Sequence, residues 1–336
     1  NSFAELNYEI RTHVSKVGNR LLICLPPKFG LGDAIEYGIA INSLIQIKKF
    51  NTIGIAFTSN YYYLFKEFFS FENIYPIIIS QEELNNYDTV FHITLEINAL
   101  KYQKYKRSNI AQEICKYFKV PLINYKKISK VKKDDSKTIS IFPISTSLIR
   151  SLPQHILEKI IECFSSEYKI KVIFDNSDYS KFLLENINNH NYIPVWPKDT
   201  ESLIDEVSQT NFGIFIDSGP LHIAGCFNKN GILVETTVSS KILLSNSKNI
   251  MSLNNKYKSN YCNGPCGLVD LFAYKHKAGC YETHKLNFND IISFKNKKNL
   301  QRWDKKENNS HFISNPVGCI KQIDVNNIID LVKYNM

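Results

Sequence analysis

The chain has 336 residues, of which 43% are hydrophobic and 22% are charged, and its formal net charge is +9. This composition excludes an intrinsically disordered protein and is typical of a globular one. No apolar stretch approaches the roughly 20 residues of a membrane span, and the first residues lack the apolar core of a signal peptide. We therefore expect a cytoplasmic protein, whose length allows two α/β domains.

The excess positive charge is spread along the chain, with local lysine clusters such as those within 126–133. It favours anionic ligands or peripheral association with the anionic inner face of a membrane, and solvated surface lysines explain it equally well. Because the basic residues do not form a recognisable nucleic-acid-binding module, we expect no nucleic-acid partner. The sequence leaves the oligomeric state open.

In the first half of the chain, apolar runs alternate with helical patterns. The predicted strands are 21–25, 53–57, 75–79 and 89–93, and the predicted helices lie near 33–48, 60–69 and 108–118. The aromatic side chains of 60–69 can form either an aromatic binding surface or part of the core. More commonly such a helix buries its phenylalanines, and we expect that here.

The second half repeats this alternation after a charged stretch at 124–137, which is typical of an interdomain linker. Strands are predicted at 138–142, 170–174, 193–195, 213–216 and 231–234, and helices at 153–165, 180–187, 200–208, 220–226 and 324–334. Strands that alternate with helices predict parallel sheets with helices on both faces. We predict an N-terminal domain over 1–130 and a C-terminal domain over 131–336, including a cysteine-rich segment at 255–320.

A loop rich in glycine and proline follows the first predicted strand and ends at Gly32 and Asp33. Asp33 stands where the helix is predicted to begin, so it can serve as a helix cap. The loop is not a dinucleotide fingerprint, because no third glycine follows at the required spacing. It is not a P-loop either, because no Gly-Lys-Ser/Thr follows.

The most informative segment is NFGIFIDSGPLHIAG, at 211–225. It predicts a buried strand, a tight turn and a new helix that starts with proline in its first turn. Open α/β sheets bind ligands at such places, because the N–H groups and the dipole of the helix start attract phosphate. The candidate ligand-binding residues are Asp217, Ser218, Gly219, Pro220 and His222. For His222, a buried and hydrogen-bonded structural role stays open.

A second candidate phosphate site follows the strand predicted at 138–142. Its loop carries the hydroxyls of Ser145, Thr146 and Ser147, which can donate hydrogen bonds to phosphate. Arg150 adds a permanent cation whose planar fork suits phosphate oxygens. Alternatively, Arg150 only forms an ion pair with a surface acid.

Two further loops supply candidates for contact with a nucleotide. Asp175 follows the strand predicted at 170–174 and can accept hydrogen bonds from ribose hydroxyls, although a turn-forming role is common for aspartate there. Thr236 and Thr237 follow the strand predicted at 231–234. Their hydroxyls are candidates for contact with phosphate.

The chain has eight cysteines. The four in its last quarter are Cys262, Cys266, Cys280 and Cys319. In a cytosolic protein such a group indicates a structural iron or zinc site rather than disulfides. The spacing matches no standard motif, so free or partly paired thiols stay open. His276 and His284 are further candidate ligands.

The segment Asp217-Ser218-Gly219-Pro220-Leu221-His222 resembles the Asp-(Ser/Thr)-Gly-x-x-His signature of the bacterial lipopolysaccharide heptosyltransferases, glycosyltransferase family 9. Gly32-Asp33 is similar to the Gly-Asp of that family's first strand-to-helix loop. Arg150-Ser151-Leu152-Pro153 keeps the cation and proline of a Lys/Arg-x-Trp-Pro pattern but lacks its tryptophan. A Gly-Pro that family members place beside the phosphates is also missing before Thr236.

The resemblance implies a GT-B architecture, in which two Rossmann-like parallel-sheet domains face a cleft. It also implies an inverting glycosyltransferase that moves a sugar, such as heptose, from a nucleotide-sugar donor such as ADP-heptose. The acceptor would be a hydroxyl of a glycan, a lipopolysaccharide or other lipid-linked molecule, or a protein. Asp33 would be the general base, with Glu36 as its nearest rival, and no catalytic metal is expected.

Other interpretations stay open. The cysteine-rich segment resembles the four-cysteine iron finger of the autotransporter heptosyltransferases, a branch of the same family, although the spacing differs. A sugar-nucleotide epimerase or hydrolase of GT-B shape would use the same phosphate site with other acid–base groups. A catalytically silent scaffold that binds nucleotide sugars is a third interpretation, but it has no need for both Asp33 and the motif from Asp217 to His222.

Overall fold

Two mainly parallel sheets organise the chain, one in each of two units. The computed structural model describes residues 12–14, 19–58, 60–76, 78–93, 109–128, 137–260, 262–268, 279–280, 282 and 316–336. The chain divides into unit 1, Asn1–Lys126, and unit 2, Lys127–Met336. This division falls inside the charged stretch at 124–137.

The sheet of unit 1 has five strands among the described residues, in the order β1-β5-β2-β3-β4. The strands are β1 (Thr12–Val14), β2 (Arg20–Cys24), β3 (Thr52–Phe57), β4 (Asn73–Pro76) and β5 (Thr89–His92). β1 runs antiparallel to β5, and the other neighbouring pairs are parallel. The central strand β2 is the most apolar, and its Leu21, Leu22 and Ile23 are fully buried.

The helices of unit 1 connect these strands. They are α1 (Leu31–Gln46), a π-helix (Leu64–Phe68), α2 (Gln81–Leu84) and α3 (Ile110–Tyr117). α1 is the longest of the described helices, its middle residues are buried, and it packs against α3 and the π-helix. Gly38 on α1 lies so close to the ring of Phe69 that a Cβ atom there would stand 2.1 Å from a ring carbon. This contact joins α1 to the segment that follows the π-helix.

The sheet of unit 2 is parallel throughout its described strands, in the order β11-β10-β9-β6-β7-β8. The strands are β6 (Thr138–Phe142), β7 (Lys169–Ile173), β8 (Ile193–Val195), β9 (Phe212–Phe215), β10 (Asn230–Val234) and β11 (Ile250–Leu253). Counted from β6, this is the 3-2-1-4-5-6 order of doubly wound nucleotide-binding sheets. The strand order reverses between β6 and β9.

The helices of unit 2 follow the strands in turn. They are a 3₁₀ turn (Leu148–Arg150), α4 (Gln154–Phe164), α5 (Asp178–Asn186), α6 (Thr200–Gln209), α7 (Gly219–Cys226), α8 (Ser240–Leu243), a second 3₁₀ turn (Gly318–Gln322) and α9 (Val325–Asn335). α9 packs against α4, β10 and β11, and its Ile328 and Val332 are fully buried. None of the described helices combines the length and apolar character that crossing a membrane requires.

The two parallel α/β sheets confirm the predicted fold class, and the main strands lie within about two residues of their predicted positions. The sequence analysis missed the short edge strands β1 and β11, because few apolar residues mark a strand that pairs on one side only. The helix predicted near 60–69 is present, and its turns over Leu64–Phe68 are π-helical. Most of the cysteine-rich segment, including His276 and His284, lies outside the described residues.

Candidate active site

The candidate site of unit 2 lies where the strand order reverses. β6 and β9 are adjacent, with Phe142 paired to Phe215, so the loops that follow them meet at one edge of the sheet. There the hydroxyl of Ser145 donates a hydrogen bond of 2.9 Å to the backbone carbonyl of Asp217. Because neighbouring loops diverge at a reversal of strand order, doubly wound sheets have a ligand-binding crevice at this position.

Arg150 crosses this junction. Its Nη1 donates to Oδ2 of Asp217 at 3.0 Å, and its Nη2 donates to the hydroxyl of Thr146 at 2.7 Å. The side chains of Arg150 and Asp217 are only 15% and 8% exposed, so the acid that pairs with Arg150 is a buried strand-end residue rather than a surface one. Within the described part of the chain, the buried Nε of Arg150 has no hydrogen-bond partner.

The three hydroxyl residues of this loop differ in their surroundings. Ser145 and Ser147 are buried and Thr146 is exposed. Ser151, which the sequence analysis did not single out, accepts a hydrogen bond from the Ser145 backbone N–H at 3.0 Å and donates to the Ser147 carbonyl at 3.0 Å. The Ser145 hydroxyl donates its hydrogen to the carbonyl of Asp217. Ser145 therefore serves to shape the loop.

The start of α7 presents its N-terminal groups at the same junction. Ser218 is the N-cap residue and its side chain does not cap the helix, while Pro220 occupies the first turn. Ser218, Gly219 and Pro220 are partly exposed, so the N–H groups of the first turn lie near the surface. His222 is also partly exposed, which argues against the interpretation of His222 as a fully buried residue.

Thr236 and Thr237 follow β10, next to β9. They are 0% and 2% exposed, and among the described residues neither hydroxyl has a hydrogen-bond partner. Buried hydroxyls are usually hydrogen-bonded, so two unpartnered ones side by side need an explanation. The backbone N–H of Gly267 donates to the Thr237 carbonyl at 2.7 Å, so the cysteine-rich segment covers this turn.

At the other side of β6, the turn after β7 has a different character. Oδ1 of Asp175 accepts hydrogen bonds from the Ser177 N–H at 3.0 Å and the Ser180 hydroxyl at 2.6 Å, which favours the turn-forming role for this residue. Trp196 follows the next strand, β8. It is 41% exposed, and its ring stacks on that of Phe174 at 5.3 Å. The sequence analysis missed Trp196, although one of only two tryptophans in the chain stands directly after a strand.

In unit 1, Asp33 lies in the first turn of α1, beyond the carboxyl end of β2. The helix begins at Leu31, two residues before its predicted start, so Asp33 is the third helical residue and Gly30 is the N-cap. Oδ2 of Asp33 accepts a hydrogen bond of 2.9 Å from the Gly30 backbone N–H. Asp33 and Gly32 are both partly exposed. β2 lies between β3 and β5, at the strand-order reversal of this sheet.

Glu36, one turn further along α1, has different surroundings. It is only 3% exposed, and its Oε2 accepts a hydrogen bond from the Ala111 backbone N–H at 3.3 Å. Ala111 lies in the first turn of α3, where N–H groups have no partner within the helix. Glu36 therefore joins two helices in the interior, and it is poorly placed to take a proton from a bound ligand.

The four C-terminal cysteines form no disulfide and lie near one another. Burial raises the pKa of Cys262 to about 11, and nearby Cys266 and Cys280 add to the increase. Burial also raises the pKa of Cys319, and the other three cysteines add to that increase. Nevertheless, the described residues contain no group of three or more His, Cys, Asp or Glu side chains placed to hold a metal ion. The predicted four-thiolate metal site therefore stays a prediction.

No protein-family model matches the chain, and no curated protein sequence matches it. Solved structures do. The iron-containing dodecameric glycosyltransferase TibC from enterotoxigenic E. coli matches with a TM-score of 0.60 at 12% identity, over 94% of this chain and 76% of that one. E. coli ADP-heptose lipopolysaccharide heptosyltransferase II matches with a TM-score of 0.55 at 10% identity, over 72% of this chain and 91% of that one.

A family 9 glycosyltransferase from Veillonella parvula matches with a TM-score of 0.53 at 10% identity, over 73% of this chain and 90% of that one. The chain shares the two-unit α/β fold of these structures. At these identities the likeness concerns the fold, and the chemistry must be argued from the residues of the site.

The ion pair at the junction leads to a prediction about stability. Replacing Asp217 with alanine leaves the largely buried guanidinium of Arg150 without its carboxylate, so we expect the free energy of unfolding to fall by about 1.5–3 kcal/mol in urea titrations. The matched control is Glu206→Ala, which breaks the more exposed pair of Lys171 and Glu206 (3.1 Å). The free energy of unfolding of Glu206→Ala should fall by less than about 1 kcal/mol. Equal losses in the two variants would show that the Arg150 pair is no stronger than a surface contact.

Proposed function

We propose that this protein is an inverting glycosyltransferase that takes a sugar from a nucleotide-sugar donor. The observation that carries the proposal is the junction of β6 and β9, where Arg150 is fixed by Asp217 beside the start of α7. A fixed cation next to the positive end of a helix is suited to a diphosphate. The fold that the chain shares with glycosyltransferases raises the prior for this chemistry, as an argument by analogy.

The donor binds to unit 2 in this proposal. The diphosphate lies against the start of α7, where it meets Arg150 Nε and the unpartnered hydroxyls of Thr236 and Thr237. The nucleoside extends toward Asp175 and the exposed ring of Trp196, on which a base can stack. ADP-heptose is the donor that we propose, because the structurally similar TibC was solved in complex with ADP-D-beta-D-heptose.

The acceptor binds to unit 1, so that residues 1–130 form the acceptor side and 131–336 the donor side. Asp33 takes the proton of the acceptor hydroxyl, whose oxygen attacks the anomeric carbon of the donor. The bond from that carbon to the diphosphate breaks, and the electron pair leaves with the nucleoside diphosphate. Arg150, His222 and the α7 start stabilise the developing charge, without a catalytic metal.

Asp33 suits the role of base better than Glu36 does. The carboxylate of Asp33 is partly exposed at the strand-order reversal, whereas that of Glu36 is buried and hydrogen-bonded to α3. The hydrogen bond from Gly30 fixes the position of the Asp33 side chain. A base must lie within hydrogen-bond reach of the proton that it removes, and a fixed, accessible carboxylate meets this requirement.

The acceptor in this proposal carries a hydroxyl on a glycan, a lipid-linked molecule such as lipopolysaccharide, or a protein. The reaction would take place in the cytoplasm, with peripheral attachment to the inner face of the membrane as an option for a chain of net charge +9. An epimerase or hydrolase is distinguished by its products. Either would consume ADP-heptose in the absence of an acceptor, whereas a transferase requires the acceptor.

We also propose a structural iron or zinc at Cys262, Cys266, Cys280 and Cys319. The support is the donor set, because four cysteines that lie near one another and form no disulfide are suitable ligands for either metal. Binding would draw the four sulfurs closer together. The structurally similar TibC is iron-containing, which adds an analogy to this argument.

The first functional prediction concerns Arg150. Arg150→Ala should weaken ADP binding by about 1.5–3 kcal/mol, the contribution of a charged hydrogen bond, in calorimetric titrations. Lys171→Ala is the control, because it removes a cation from an ion pair elsewhere in the same sheet and should bind ADP as the unchanged protein does. Unchanged ADP affinity in Arg150→Ala would exclude Arg150 from the site.

The second functional prediction concerns the base. Asp33→Asn should bind ADP normally, yet transfer sugar from ADP-heptose at least ~100-fold more slowly, because the base is lost and the shape is kept. Glu83→Gln is a matched control, since Glu83 is also the third residue of a helix and accepts a backbone hydrogen bond at 3.0 Å. Near-normal turnover of Asp33→Asn would mean that Asp33 only stabilises the start of α1.

The third functional prediction concerns the cysteines. Protein purified without chelators should contain about one iron or zinc per chain, with sulfur–metal distances near ~2.3 Å by X-ray absorption. Cys319→Ser should lose most of the metal and lower the melting temperature. Cys163→Ser, which changes a partly exposed cysteine of α4, should retain it. Metal-free protein that melts at the same temperature as the purified protein would refute the metal site.

A further inference from the structure

A pair of aromatic rings lies beside the loop that carries Asp33. The ring of Phe29 packs edge-on against the buried Tyr37 at 5.4 Å and lies at 32° to the ring of Tyr61, also at 5.4 Å. Phe29 is thereby in contact with two other rings. Both Phe29 and Tyr61 are partly exposed.

The segment from 61 to 69 divides into an exposed part and a core part. Its phenylalanines and Leu64 are buried, as the sequence predicts. Tyr61 is partly exposed and Tyr62 is 46% exposed, so this end of the segment does not serve the core. The expectation that this segment buries its phenylalanines is therefore correct, and the first two tyrosines lie outside the core.

The backbone that presents Tyr61 is unusual. The Phe69 N–H donates to the Leu64 carbonyl at 2.9 Å, five residues back, which gives the wider turn of a π-helix. The N–H of Phe65 donates to the Tyr61 carbonyl at 3.2 Å and ties Tyr61 to this turn. π-helical turns are rare and are frequent at functional sites, so their presence here is a second sign of a binding role.

The carboxylate of Asp33 lies close to this ring pair, because its Oδ2 accepts a hydrogen bond of 2.9 Å from the backbone N–H of Gly30, the residue after Phe29. Burial raises the pKa of Tyr61, and the nearby carboxylate of Asp33 raises it further. A carboxylate and two partly exposed rings therefore share one surface of unit 1. An apolar ligand would cover the rings but would also desolvate the carboxylate of Asp33, which is unfavourable. The surface suits a ligand that has both an apolar face and hydroxyl groups at its rim.

We propose that Phe29 and Tyr61 form a stacking platform for a sugar ring, and that the acceptor of the transfer is therefore a glycan. A pyranose has a face of C–H hydrogens, which the negatively polarised face of an aromatic ring attracts. It also has hydroxyls at its rim, and these can donate hydrogen bonds to the carboxylate of Asp33. A serine or threonine of a protein acceptor offers a hydroxyl but no such face. This inference rests on the proposed function and names its acceptor class.

The experiment is saturation-transfer NMR on the full chain, with methyl α-D-mannopyranoside, methyl β-D-glucopyranoside and a methyl heptopyranoside as probes. We expect saturation to reach the C–H hydrogens of one ring face in at least one probe. Phe29→Leu and Tyr61→Leu should each bind that probe about 5-fold more weakly, while Tyr61→Phe, which keeps the ring, should bind it normally. Tyr334→Leu is the control, because Tyr334 is 86% exposed on α9.

ADP binding is measured in parallel, since it reports on unit 2 alone. ADP affinity should be the same in all four variants. If the protein binds ADP but no glycoside, or if the leucine variants keep the full signal, the platform is overturned while the donor site stands. If glycosides bind on one face and ADP does not bind, the proposed transferase function fails and the sugar platform remains. Tyr61→Leu changes a partly exposed side chain, and its circular dichroism spectrum checks its folding.

Discussion

The hydrogen bond between the Ser145 hydroxyl and the Asp217 carbonyl fixes the site of unit 2, because it joins loops from two adjacent strands that leave the sheet in different directions. With the loops joined, the carboxylate of Asp217 can hold Arg150 at 3.0 Å, directly before α7 begins. The guanidinium is largely buried, yet none of the described residues accepts a hydrogen bond from its Nε. An ion pair in such surroundings gives a fixed orientation rather than much net stability.

In unit 1, two acids three residues apart on α1 have different roles. Asp33 lies at the open end of the sheet and holds the N-terminal loop of α1 through Gly30. Glu36 points into the interior and holds the start of α3. Both satisfy backbone N–H groups at helix starts, which have no partners inside their own helices. Only the position relative to the sheet edge separates an accessible carboxylate from a buried one.

The cysteine-rich segment is connected to the candidate site by the backbone. Gly267, next to Cys266, donates its N–H to the carbonyl of Thr237, so the turn after β10 is held from outside by the segment that carries the thiols. The Asn255 side chain also donates to the Cys319 carbonyl at 2.6 Å, which ties the end of the chain to the same region. Hydrogen bonds thus link the segments that carry the thiols to the turn after β10 and to Asn255.

The sequence by itself determined the fold class, the main strands and helices of both units and the strand-to-helix loops that carry the candidate site. The alternation of apolar runs and the turn residues at 211–225 are local signals. Such signals can be interpreted without knowing which segments pack together. Only the tertiary structure decided that Arg150 pairs with a buried acid, that Glu36 is interior and that Trp196 and Tyr61 are exposed. These properties depend on which strands become neighbours, and pairing between distant segments leaves no periodic trace in the sequence.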